Sequence, residues 1–129
     1  MKIVVSRKSF LIISMIILSL AFSSCHKEGL GGNASITGTV YHHTVAIPNC
    51  IVYIKFDATE FPGENPGLYN ASVQADSKGE YIFQKVYKGD YYLYAVGNDE
   101  TIKEVVRGGV HVKTKRNKMI TQDIPVTED

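Results

Sequence analysis

The residues of this 129-residue chain best suited to chemistry are two cysteines, Cys25 and Cys50, and four histidines, His26, His42, His43 and His111. Thiols offer nucleophilic attack or cross-linking, and imidazoles offer proton transfer or metal ligation. Spacing decides among these roles. His42 and His43 are neighbours at the end of an alternating segment, where successive side chains point to opposite faces. The pair therefore reads as solvated turn residues rather than as joint ligands, and neither His111 nor His26 stands at a metal-ligand spacing from it. Serine, histidine and aspartate are all present, yet no Gly-x-Ser-x-Gly elbow surrounds any serine. The sequence thus predicts no catalytic residue, no metal ligand and no cofactor. Cys50 falls on the inward positions of an alternating run and reads as a small buried hydrophobe.

Cys25 has a different setting. Lys2, Arg7 and Lys8 precede an apolar run over residues 10–22, and Ser23-Ser24-Cys25 follows it. That run falls in the roughly 7–15-residue range of a secretory h-region and is shorter than the ~20 residues of a spanning helix. The order Leu20-Ala21-Phe22-Ser23-Ser24-Cys25 resembles a bacterial lipobox, with Phe22 where a smaller residue is usual. The resemblance implies that residues 1–24 are a signal peptide, cut so that Cys25 becomes the first residue and carries the lipid. Several acyl chains hold a protein on a bilayer far more firmly than one. His26, rather than Asp, after the cysteine points to the outer membrane, on its periplasmic or cell-surface face.

The signal removes three basic residues and no acidic one from fourteen basic and thirteen acidic, leaving the mature chain near −2 with neutral histidines. Nucleic-acid modules carry a strong basic excess, so nucleic acid is excluded as a partner. Residues 25–33, with Gly29, Gly31 and Gly32, read as a flexible tether. Residues 34–129 are one domain's worth of chain.

That domain shows short β-branched and aromatic runs between turn signals, which is the pattern of an all-β sandwich. Strands are expected over residues 35–41, 50–57, 67–75, 79–84, 90–96, 102–112 and 119–126. In the second, Cys50, Val52, Ile54 and Phe56 share the inward face. Tyr81 and Phe83 share another, as do Tyr91, Leu93 and Ala95. Asp76-Ser77-Lys78-Gly79 is expected to turn with Gly79 in a left-handed conformation. Asn117 reads as a turn residue, and Lys113, Lys115, Arg116 and Lys118 as the solvated crown of the last hairpin, with contact to anionic lipid or polysaccharide as their functional alternative.

Two surface features could bind a ligand or a partner. The Pro/Gly loop over residues 58–67 carries Phe61, and a stiff loop that presents an aromatic loses little entropy on docking. The alternative is that Phe61 folds back onto the core. Tyr53, Tyr69, Tyr92 and Tyr94 fall on outward positions. Exposed tyrosines suit recognition surfaces, although outward sheet faces also use them to pair across strands. Phe61, Tyr53, Tyr69, Tyr92 and Tyr94 are therefore the candidate contacts.

Asp76, Gly79, Tyr81, Phe83, Val86, Gly89, Tyr91, Leu93 and Ala95 resemble the D-x-x-G-x-Y-x-F-x-x-L-x-x-G-x-Y-x-L-x-A core of carboxypeptidase regulatory-like domains, with Val86 in place of leucine. Gly38-Thr39-Val40 and Pro48 to Val52 are similar to that family's first two strands. The resemblance implies a seven-stranded, Greek-key, prealbumin or transthyretin-like sandwich. Hydroxyisourate hydrolases share the prealbumin fold but end in a Tyr-Arg-Gly-Ser signature. This chain ends in Ile124-Pro125-Val126-Thr127-Glu128-Asp129, so that activity is not expected. Domains of the resembled family are often appended to larger proteins, so a stand-alone copy is expected to work through a partner. The function expected is that of a non-enzymatic, membrane-anchored binding or assembly module of the cell envelope, with an envelope protein or a glycan as partner. The alternative is a surface carbohydrate-binding lipoprotein.

Overall fold

The computed structural model describes residues 29–129, so Cys25, His26 and the stretch read as a signal peptide lie outside the described residues. Alternating residues build nine strands: β1 (Leu30–His42), β2 (Val45–Ala46), β3 (Ile51–Phe56), β4 (Ala71–Gln74), β5 (Glu80–Val86), β6 (Gly89–Asp99), β7 (Glu104–Thr114), β8 (Met119–Thr121) and β9 (Ile124–Pro125). One sheet is antiparallel in the order β4-β3-β6-β7. The other is built on β1, which pairs antiparallel with β2 and β5 and parallel with β8 and β9. Ile36, Val40, Tyr81, Phe83, Val86 and Ile124 from the β1 sheet meet Val52, Ile54, Tyr91, Leu93, Ala95 and Val106 in one core. Burying each aliphatic side chain contributes about 1.5–3 kcal/mol. The architecture is the expected all-β sandwich. Among the described residues no helix is long and apolar enough to cross a membrane.

Each of the seven expected strands has a counterpart, and the two additional ones have local causes. The stretch 119–126 divides into β8 and β9 because its middle is taken up by other partners. The Gln122 carbonyl accepts from the Tyr81 hydroxyl, and Asp123 Oδ1 accepts from the Thr39 amide at 2.9 Å. The second addition is the two-residue β2, folded back on the end of β1.

Two further expectations need correction. β1 begins at Leu30, inside the stretch read as a flexible tether over 25–33. Its glycines mark close packing: a Cβ on Gly31 would meet the Tyr87 hydroxyl at 2.9 Å, and one on Gly32 would meet the Val86 carbonyl oxygen at 2.4 Å. The Tyr91 hydroxyl accepts from the Gly29 amide at 3.1 Å and donates to the Tyr87 carbonyl at 2.7 Å, which ties this end of the chain to the core. The basic cluster does not crown a hairpin either. β7 and β8 lie in different sheets, so residues 115–118 cross between them, with Asn117 at a φ of 59°.

The turn before β5 follows its sequence. Gly79 has a φ of 75°, and Asp76 Oδ1 accepts from the amides of Lys78 and Glu80 at 2.8 and 3.0 Å. An Asp side chain closing its own turn and a glycine at positive φ are what this geometry requires.

Candidate functional site

The outward face of the β4-β3-β6-β7 sheet is built row by row across the strands. Tyr53 of β3 lies opposite Tyr94 of β6, which lies opposite Gly109 of β7. In the adjacent rows are Lys55, Tyr92 and His111, then Ile51, Val96 and Arg107. The segment between β3 and β4 folds over this face. Asn65 Oδ1 caps the short 3₁₀ turn Pro66–Leu68 by accepting from the Gly67 amide at 2.9 Å. Asn70 Oδ1 accepts from the Phe56 amide at 2.8 Å, and the Tyr69 hydroxyl donates to the Gly63 carbonyl at 2.7 Å.

The segment so held places its rings on those of the sheet. Tyr69 stacks on Tyr94 with centroids 5.7 Å apart and an interplanar angle of 12°, and it lies 5.5 Å from Tyr53. Phe61 sits 5.3 Å from Tyr94 and 5.9 Å from Tyr92. Tyr53 and Tyr94 are 6.3 Å apart. Such separations lie within the range of favourable aromatic pairs, each contributing about 0.5–1.5 kcal/mol beyond its buried area. All five candidate contacts therefore meet in one layer. Phe61 packs on the outer face rather than on the core and stays 49% exposed.

Tyr94 requires a correction. It points outward as expected, but it is buried, because Phe61 and Tyr69 cover it. It supports the layer instead of offering a free surface. Burial raises the pKa of Tyr92 and Tyr94 and pushes that of Tyr69 to about 12, so these hydroxyls stay protonated donors at any physiological pH.

Beside Phe61 and Tyr92 a shallow groove of about 280 Å³ reaches Arg107 and Gly109. A Cβ on Gly109 would meet Tyr92 Cε1 at 2.6 Å and the Leu93 carbonyl oxygen at 2.7 Å, so only glycine lets the Tyr92 ring lie this close to β7. At the rim the Arg107 guanidinium stands 3.5 Å from Glu64 and 3.4 Å from Asp129. Nothing in the sequence pattern singles out Arg107, Glu64 or Gly109. Their role comes from the register of β6 against β7 and from where the loop lands.

A second constellation lies where β1 and β6 end. His42 is not a solvated turn residue: its side chain is 6% exposed, and its Nδ1 lies 2.6 Å from Asp99 Oδ2. An ionised carboxylate can only accept, so Nδ1 carries the proton. Asp99 is buried as well, and its Oδ1 accepts from the Thr101 amide at 2.9 Å and the Thr101 hydroxyl at 2.5 Å. The Thr101 hydroxyl, then His42, hold the Asp99 carboxyl down at about 2. Asp99 in turn raises His42 above 6.5, against the opposing effect of burial, with Glu128 adding to the rise.

On its other side His42 Nε2 faces the Glu128 carboxylate in a close charge contact that lacks hydrogen-bond alignment. Glu128 is lowered by its own backbone amide and then by His42. His43 is the exposed turn residue expected, but it does not point away from His42. β1 stops at His42, and His43 takes a φ of 54°, so strand alternation no longer applies to it. Its ring comes back to 4.4 Å from that of His42. Cys50 is buried as expected, and desolvation pushes its thiol up to about 11. The exposed His111 lies 2.8 Å from Asp90 in a separate pair.

No protein-family model matches the chain, and no curated protein sequence does. Among solved structures the chain is similar to a 5-hydroxyisourate hydrolase from Klebsiella pneumoniae, at 13% identity and a TM-score of 0.43, over 81% of this chain and 99% of the other.

Proposed function

We propose that this chain is a lipid-anchored, non-enzymatic binding module of the bacterial envelope, a relative of the carboxypeptidase regulatory-like domains, whose ligand docks on the aromatic face of the β4-β3-β6-β7 sheet. One observation carries the reading. Phe61, Tyr53, Tyr69, Tyr92 and Tyr94, drawn from three segments of the chain, converge in one layer beside an open groove. A rigid aromatic surface with a single guanidinium at its edge is the composition of a recognition patch, where aromatics and arginine are enriched. The ligand is an envelope protein.

A second reading, a surface glycan, draws support from the groove itself. At about 280 Å³ the groove has room for a pyranose ring against Phe61 and Tyr92, with Arg107 and Glu64 in its lining to bond the hydroxyls. Capture from solubilised envelopes, followed by mass spectrometry, and retention on polysaccharide affinity gels separate the two. Phe61→Ala should weaken whichever ligand is captured about tenfold or more, as truncation of a central aromatic contact does. Capture that the substitution leaves unchanged would remove the aromatic face from the account.

A further inference from the structure

We propose that His42, His43 and Glu128 form a three-ligand site for a divalent transition cation of the zinc type. One ligand atom from each residue can be chosen so that all lie within 4.8 Å of one another. Tetrahedral zinc with bonds of about 2.1 Å needs its ligands roughly 3.4 Å apart, so small movements of the two exposed residues suffice.

Three features set this cluster apart from a chance gathering of surface groups. His42 Nε2 is a buried nitrogen with no aligned hydrogen-bond partner, directed at the place where His43 and Glu128 meet. Its ring is fixed from behind, since Nδ1–H donates to Asp99 and Asp99 is itself held by Thr101. A carboxylate behind the distal nitrogen is the arrangement that orients metal-binding histidines and makes them better donors. Finally, the left-handed backbone of His43 is what lets two adjacent residues serve the same point in space.

The donor set selects the metal. Two imidazoles and one carboxylate suit zinc and its neighbours, whereas calcium and magnesium require mainly oxygen ligands. The described thiol, Cys50, is buried elsewhere in the core and takes no part. A metal on His42 Nε2 requires that nitrogen to be free of a proton, as every imidazole ligand must be. Glu128 and His43 are exposed, which leaves an entry path and a fourth position for water.

The test is calorimetric titration of the full-length chain, kept in detergent, with zinc chloride, alongside the absorption spectrum of the cobalt-loaded protein. One zinc per chain is expected, with a cobalt spectrum of tetrahedral intensity. Because His42 is buried and its replacement could unfold the domain, the variants are His43→Gln and Glu128→Gln, with His111→Gln as control. Each of the first two should weaken zinc about tenfold or more, the scale of loss seen when metal-site groups are removed, and the control should bind as the parent does. Absence of one-to-one binding, or either variant binding within a few-fold of the parent, overturns the proposal.

Discussion

At the scale of single residues, environment rather than identity decides what is reactive. Cys50 and His42 are both buried, but they differ in what surrounds them. Burial dominates at the thiol, outweighing a backbone hydrogen bond that acts the other way, so desolvation favours its neutral form and raises its pKa to about 11. The thiolate is the nucleophile, so in a Cys25→Ala background the native protein should leave a thiol reagent unreacted at pH 8 and consume one equivalent once unfolded. Prompt reaction of the native protein would contradict the burial. The sign of the linkage is set: a thiol whose pKa is raised in the folded state contributes stability below its ordinary value of 9.0 and loses that contribution as pH rises toward 11. His42, by contrast, has carboxylates on two sides, and its partner Asp99 is 57 residues away in sequence. No local pattern around His42 announces either carboxylate, which is why the sequence suggests a solvated turn there.

At the scale of elements, much of the fold was legible because strand periodicity is a local signal. Cys50, Val52 and Ile54 alternate inward, as do Tyr81 and Phe83, and Tyr91, Leu93 and Ala95. The turn at Gly79 was legible for the same reason, and it carries a prediction. Gly79→Val would force a β-branched residue to a φ of 75° and bring its Cβ within 2.9 Å of the Ile47 carbonyl oxygen. The left-handed cost alone is about 1–2 kcal/mol, and the contact adds to it. For a domain of this size each kcal/mol corresponds to roughly 4–8 °C in Tm, so thermal unfolding should shift down by about 5–15 °C. An unchanged Tm would remove the turn from the stability account. What periodicity does not encode is the partner across the sheet. Gly31 and Gly32 look like linker until Tyr87 and Val86 are seen against them. The five aromatics could be named from alternation and loop composition, but the groove beside them depends on Arg107 and Gly109, whose place is fixed by the pairing of β6 with β7.

At the scale of the whole molecule, the reading as an envelope module rests on Cys25, and it can be tested without knowledge of the ligand. Cys25→Ala should move the protein from the membrane fraction to the soluble fraction, since one residue carries the proposed anchor. Variant protein that stays with the membrane would show that something other than an acylated cysteine holds it there. An anchor at one end and a ligand on the β6–β7 face would also make the domain a mechanical link between two bodies. Tension from the bilayer would then enter at Leu30, the first residue of β1. Between Ser35 and Thr37 that strand is bonded on both flanks, to β5 on one side and β8 on the other, and further along it is paired to β9 and β2. Pulling lengthwise on a strand bonded in this way shears many hydrogen bonds together, whereas peeling an edge strand breaks them one at a time. The chain would meet force where it resists best, in the β1 sheet and not in the sheet whose face holds the ligand.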